Sequence, residues 1–166
     1  LFVVMVVIGL NQGMQPIAGY NFGAGRYDRV VGVLRHAVGV AVCITTAGFV
    51  VGTFFSTPVV TLFAKDSPEL IDMAAHALEC IVMMFPIVGV QIVSTAFFQS
   101  IGLAGKSIFL SLTRQLLFLV PAIFILPHVF SDPLEGLWHA SPTADALASV
   151  LAITLLIKQV RKFRRA

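Results

Sequence analysis

Charge is scarce in this sequence. Only 11% of its 166 residues are Asp, Glu, Lys or Arg, while 58% are hydrophobic. A soluble domain carries about 25% charged residues, because its surface must be covered with groups that water solvates. The charges present are also clustered, and none occurs between His36 and Lys65. The solvent implied is a bilayer. Cysteine is scarce too: Cys43 and Cys80 both lie in apolar runs, without CxxC spacing, and read as small buried hydrophobes. The histidines His36, His76, His128 and His139 are dispersed and lack metal-ligand spacing. Nothing resembles a catalytic triad, so an enzyme is not expected, and neither is a cofactor or a metal. The formal net charge of +3 comes without a basic stripe interleaved with aromatics, which argues against a nucleic-acid partner. No basic segment followed by a small-residue cleavage site opens the chain, so a signal peptide is excluded. The chain starts at Leu1, inside an apolar run and without an initiator Met, as a piece of a longer protein would.

The apolar runs are continuous rather than alternating, which excludes a membrane β-barrel and predicts an all-α, polytopic transmembrane helix bundle. A spanning helix needs roughly 20 mostly apolar residues. Five such helices are expected, over about 1–21, 37–57, 78–101, 113–131 and 142–158. Basic residues collect on the cytoplasmic side of membranes. With the first helix ending inside, that side receives Arg26, Arg29, Arg35, Lys106, Arg114 and the five basic residues of the C-terminal tail. The other side receives only Lys65, in its loop, and shares that face with the Trp138 loop. The expected C-terminus is therefore cytoplasmic. Residues 27–38 mix arginines with valines and read as an interfacial lead-in to the second helix. The tail KQVRKFRRA reads as a stop signal, or as a basic segment touching anionic headgroups.

Local signals punctuate the runs. Ser67-Pro68-Glu69 reads as an N-cap, an N1 proline and a first-turn acid, and Ser141-Pro142 opens the fifth helix in the same way. Pro86 and Gly89 interrupt the third helix, and Pro121 and Pro127 the fourth. Within the third, Gln91, Ser94, Thr95 and Gln99 fall on one face at 100° per residue. A lipid-facing helix has no use for such a stripe, whereas a buried face or a wet cavity does. Amides and hydroxyls solvate a cation or a drug without a fixed charge. The stripe therefore admits two roles, lining a substrate cavity or joining helices, with Met83, Met84 and Phe85 as adaptable apolar neighbours.

The stretch QGMQPIAGYNFGAGRYDR, residues 12–29, carries a further signal. Gln15-Pro16, Gly19, Asn21 and Gly23-Ala24-Gly25, followed by Arg26 and Arg29-Val30, resemble the multidrug and toxic compound extrusion (MATE) family. So do FPIVGVQIVSTAFFQSIGLAGKS (85–107), SLTRQLLFLVPAIFILP (111–127) and GLWHASPTADALA (136–148), in the family's order and at its separations. QIVSTAFFQ and LTRQ look most like the bacterial branch near the staphylococcal-type exporters. The resemblance covers nearly the whole chain. It implies half of a two-lobe, twelve-helix transporter: helices eight to twelve of a six-helix C-terminal lobe, with the preceding helix and the N-terminal lobe missing. It further implies a secondary exporter of cationic or amphiphilic compounds in the plasma (inner) membrane of a bacterium. Protons or sodium ions would be exchanged for substrate by rocking of the lobes. The implied partners are membrane lipids, the missing lobe and small cationic substrates. A lipid-linked oligosaccharide flippase and an inert truncated fragment are the alternatives. The flippase predicts more basic residues in the cavity than Arg114 supplies.

Individual residues keep two readings each. Gln15 and Asn21 either line the cavity or hydrogen-bond the turn made by Pro16 and the glycines, and the second ranks first. Gly19, Gly23 and Gly25 are structural, with Gly23 and Gly25 letting the chain leave the helix in left-handed or tight conformations. A phosphate loop is excluded, because no strand precedes the glycines. Asp145 is either a coupling carboxylate inside the membrane or, ranking first, a first-turn acid that complements the helix dipole after Ser141-Pro142. Glu79 lies near the outer end of its helix, in water. Arg114 either snorkels to the inner interface, which ranks first, or pairs with a carboxylate as a gate. Sodium-coupled relatives carry acids in helices seven and ten. The middle of the helix matching ten has none here, which places the coupling acid in the missing half.

Overall fold

A computed structural model describes residues 2–62 and 67–164 of the chain; the expected outer loop at Lys65 and the last two tail residues fall outside these. The described residues form helices and connecting turns, with no strand among them. In chain order the helices are α1 (Phe2–Gly23), α2 (Tyr27–Phe54), α3 (Ser56–Thr61), α4 (Pro68–Val82), α5 (Phe85–Ser100) and α6 (Ala104–Leu112). A π-helical segment, Thr113–Leu119, joins α6 to α7 (Val120–Val129), and α8 spans Pro133–Phe163. Four stretches are long and apolar enough to cross a membrane by themselves, and α4 with α5 makes a fifth, bent by 51°.

Why the third span breaks is chemical. Pro86 lacks an N–H and sits in the first turn of α5, where the missing donor costs nothing. The chain turns just before it, at Met84 (φ −95°, ψ 2°). Gly89 does not take part in the break. A Cβ there would lie 2.7 Å from Thr45 Oγ1 and 3.0 Å from the Ala41 carbonyl oxygen. The glycine lets α5 rest on the backbone of α2.

The second helix starts at Tyr27, so residues 27–38 are its first turns rather than a separate lead-in. The entry to it is built on a Schellman closure. Gly25 adopts φ +69°, its N–H donates to the Phe22 carbonyl at 3.0 Å, and the Arg26 N–H donates to that of Asn21 at 2.9 Å. The end of α5 repeats the device with Gly102 at φ +75°: Gly102 N–H donates to Gln99 and Leu103 N–H to Phe98, at 3.2 and 2.9 Å. Gly23 remains inside α1. Gly19 serves close approach, since a Cβ there would stand 2.9 Å from the Ser100 carbonyl oxygen of α5.

The fifth span departs most from expectation. It opens at Pro133, behind an Asp132 N-cap whose Oδ1 accepts from the Leu134 N–H at 2.9 Å, and Pro142 lies inside it. Ser141-Pro142 is therefore not a helix start. The same helix runs on to Phe163, whose ring stacks on Tyr27 at 5.1 Å and meets Phe22 at 5.8 Å. The aromatic end of α8 thus closes the basic end of the bundle. Ala140, Ala144, Ala148 and Ala152 recur every fourth residue along α8 and are all buried. Small residues at that spacing let membrane helices approach closely, and α8 packs against α5 and α7. The core, with Val7, Val30, Val93, Phe97 and Leu110 at its centre, lies among α1, α2, α5, α6 and α8. Large apolar side chains such as Phe54, Leu116 and Phe124 stay exposed on the outside, where lipid would solvate them.

Candidate functional site

A groove of about 370 Å³ runs between α1, α5 and the α6–π junction. Each wall is polar. From α1 come Asn11, Gln12 and Gln15; from α5, Gln91, Thr95 and Gln99; from the junction, Ser111, Arg114 and Gln115. Val4, Ile8, Ile92 and Ala96 add apolar lining between them. The helical period explains the assembly. Asn11 and Gln15 are four residues apart on α1, as are Gln91, Thr95 and Gln99 on α5, so each set forms one stripe.

The structure divides the expected site residues. Gln15, Gln91, Thr95, Gln99 and Arg114 share this groove. Ser94 does not: it is fully buried, and its hydroxyl donates to the Val90 carbonyl at 2.7 Å. At 100° per residue it stands three positions from Gln91, on the packed flank of the stripe. Asn21 does not either. Its amide nitrogen donates to the Ile17 carbonyl at 2.8 Å, and it lines a different cleft, between α1 and α2. The groove adds Asn11, Gln12, Ser111 and Gln115, which sequence reasoning passed over although the spacing of Asn11 and Gln15 carried the signal.

Arg114 and Asp145 form the one charged pair at the groove among the described residues. Arg114 Nε donates to Asp145 Oδ1 at 2.7 Å. Asp145 is buried, while the side chain of Arg114 is 37% exposed toward the groove. Because α8 opens at Pro133, Asp145 lies about three turns inside the helix and has no part in a first turn. Arg114 thus makes the contact with a carboxylate of another helix that is its second reading. The π-helical segment begins one residue before it, and π-turns widen the helix and shift side-chain register, often at functional positions. Glu79, expected in water, is half-buried and accepts from Ser56 Oγ at 2.6 Å.

Hydrogen-bonding capacity in the groove is only partly used. The Ser149 hydroxyl donates to Gln91 Oε1 at 3.4 Å, and Thr95 Oγ1 to the Gln91 carbonyl at 3.1 Å. Asn11 is 5% exposed, and its Oδ1 has no partner among the described residues. A buried carbonyl oxygen without a donor costs about 1–3 kcal/mol. No carboxylate lines the groove among the described residues. The surface is therefore dipolar, with six amides (Asn11, Gln12, Gln15, Gln91, Gln99 and Gln115) and a single guanidinium already neutralised by Asp145.

Comparison with known proteins supplies the family. The family model described as MatE matches residues 1–125. The chain is 26% identical over 156 residues to the multidrug export protein MepA of Staphylococcus aureus (strain MSSA476), covering 92% of this chain and 33% of that protein. It is 25% identical over 156 residues to MepA of Staphylococcus haemolyticus (strain JCSC1435), at 92% and 32%. The chain thus spans about a third of the length of the curated relatives it matches. Among solved structures it resembles the MATE multidrug transporter DinF-BH, with TM-score 0.87, 35% identity, and coverage of 95% of this chain and 34% of that one. The fold also matches an inward-facing MATE family transporter of the MOP superfamily, with TM-score 0.91 at 18% identity over 99% of this chain and 38% of that one.

Proposed function

Because the chain belongs to the MatE family of multidrug and toxic compound extrusion transporters, we propose that the protein carrying it is a secondary active exporter of cationic or amphiphilic compounds. The dipolar groove supplies this lobe's part of the substrate surface. Alternating access exposes it to each side of the membrane in turn. Exchange for protons or sodium ions biases the two states, since occupancy by an ion shifts a population only through unequal affinity for them. The protein sits in the plasma membrane of a bacterium with its C-terminus in the cytoplasm, following the ten-to-one distribution of basic residues read from the sequence. A second lobe of the same protein completes the cavity.

The observation that carries this reading is the groove's chemistry. It offers many amide oxygens at low fixed charge, so cations of different shape are accommodated without one rigid salt bridge. Its single guanidinium is held by Asp145 and is not free to bind a polyanionic headgroup, which weighs against an oligosaccharide-lipid flippase. The same pair is the natural coupling element of this lobe. Loss of the Asp145 charge would release Arg114 toward the groove, where it repels a cationic substrate.

Full-length protein carrying Gln91→Ala and Gln99→Ala should lose drug efflux from proteoliposomes while still reaching the membrane. Normal efflux in that variant would sink the groove assignment. In the unmodified protein, efflux should collapse when the proton and sodium gradients are dissipated. Gradient-independent lipid scrambling would favour the flippase, and neither activity would leave the chain as an inert fragment.

A further inference from the structure

An apolar cleft of about 850 Å³, larger than the polar groove, lies between α1 and α2. Gly9, Gly13 and Gly32 hold it open: a Cβ at any of them would meet nothing within 4 Å. Leu10, Met14, Ile17, Val33 and Val40 give it an apolar lining, with Asn21 and Arg29 at the end nearer the α1–α2 turn and His36 seven residues beyond Arg29 on α2. His36 is occupied, its Nδ1 lying 2.8 Å from the Gly32 carbonyl oxygen.

A second pocket of about 690 Å³ adjoins the end nearer the turn and shares Arg29 with the cleft. Arg26, Arg29 and Arg164 line it, with Asp28 as its one acid among the described residues. All three arginines are exposed, and none forms an ion pair among the described residues. Three guanidinia against one carboxylate make this pocket cationic, and planar guanidinia suit phosphate oxygens.

The dimensions agree with the charge. From Gly9 to Asn21 the cleft follows α1 for about 18 Å at 1.5 Å per residue. One leaflet of a bilayer's hydrocarbon core is about 15 Å deep. An apolar slot one leaflet long, ending in a cationic pocket, has the shape and polarity of one kind of molecule. We infer that the α1–α2 cleft and the Arg26–Arg29–Arg164 pocket together form a binding site for an anionic diacyl phospholipid, with an acyl chain in the cleft and its phosphate on the arginines. The site goes beyond the export function and uses none of the polar-groove residues.

The test uses the full-length protein in detergent and native mass spectrometry, with dioleoyl phosphatidylglycerol and dioleoyl phosphatidylcholine as probes. Phosphatidylglycerol should be retained preferentially. Changing Arg26→Gln and Arg29→Gln together should lower that preference roughly tenfold or more, as removal of two surface cations from an anionic headgroup would. Gly13→Leu fills the cleft from a position with free space, and should reduce retention of both lipids while thermal stability is kept. Equal retention of the two lipids by the unmodified protein overturns the proposal. So does an unchanged preference in the double variant, or undiminished binding in Gly13→Leu. Competition by inorganic phosphate at the same concentration as the lipid would show an anion pocket without a lipid slot, and would also overturn it.

Discussion

Arg114 and Asp145 are 31 residues apart in the chain and 2.7 Å apart in space. The first stands on the π-helical segment and the second in the middle of α8, so the pair fastens those elements at the floor of the groove. Removing one partner of a buried pair leaves the other uncompensated, at about 3–5 kcal/mol. Arg114 is more than a third exposed, so solvent recovers part of that loss. Arg114→Gln and Asp145→Asn should therefore each destabilise the protein by about 1–3 kcal/mol. The double variant should cost less than the two singles added together. Thermal unfolding in detergent reads this directly, and strict additivity would show that the two groups do not interact.

Gly89 makes a sharper steric prediction. Gly89→Ala must push Thr45 and the backbone of Ala41 away, since the new Cβ would lie 2.7 Å from Thr45 Oγ1 and 3.1 Å from the Ala41 carbonyl carbon. Overpacking of this kind costs about 1–3 kcal/mol. Thr45 cannot yield freely, because its hydroxyl already donates to the Ala41 carbonyl at 2.9 Å. Gly13→Ala is the control: with nothing within 4 Å, alanine in a helix should be neutral or stabilising by up to about 1 kcal/mol. The difference in melting temperature between these two variants checks the α2–α5 contact without reference to transport.

The spans were legible because bilayer thickness dictates a run length that composition displays. The stripe of Gln91, Thr95 and Gln99 was legible for a similar reason, as helical period alone puts the three on one face. What sequence could not separate were competing local signals. Asp132-Pro133-Leu134-Glu135 carries the same N-cap, proline and acid pattern as Ser141-Pro142, and the earlier one starts the helix. Packing decides this, because Gly136 and Ala140 are buried against α7 and neighbouring helices. A Cβ on Gly136 would lie 2.6 Å from the Leu126 backbone. Starting α8 early moves Asp145 from a helix mouth into the interior, and so into reach of Arg114. That pairing depends on tertiary placement and on a π-turn, neither of which leaves a periodic trace. Ser94 departs differently: residue type says polar, but it satisfies itself on its own helix backbone, as Asn21 does in line with its first-ranked reading.

Gly25 can be tested by conformation alone. Its φ of +69° is one that a β-carbon resists, at roughly 1–2 kcal/mol for an L-residue. Gly25→Ala should lower stability by about that amount, and Gly25→Asn by less, since asparagine tolerates the left-handed region. Gly23→Ala, two residues earlier and still helical with open space around it, should not destabilise. Equal effects at the two glycines would mean that the closure after α1 does not depend on a left-handed residue.

Lys106 does more at the basic end than supply charge. Its ammonium donates to Gln159 Oε1 of α8 at 2.8 Å and lies 5.3 Å from the centre of the Phe98 ring. Gln159 is buried, so its oxygen depends on this donor. Lys106→Met keeps the apolar stem but removes the donor and the cation. The cost should be about 1–3 kcal/mol, as for a buried acceptor left unpaired. Combining it with Gln159→Leu removes the unmet acceptor as well, and should recover part of the loss. If Lys106 acted only through the positive-inside bias, the single variant would instead leave unfolding unchanged and alter only the fraction inserted in the correct orientation. Melting temperature and protease accessibility of the C-terminus, measured on the same variants, separate the two roles.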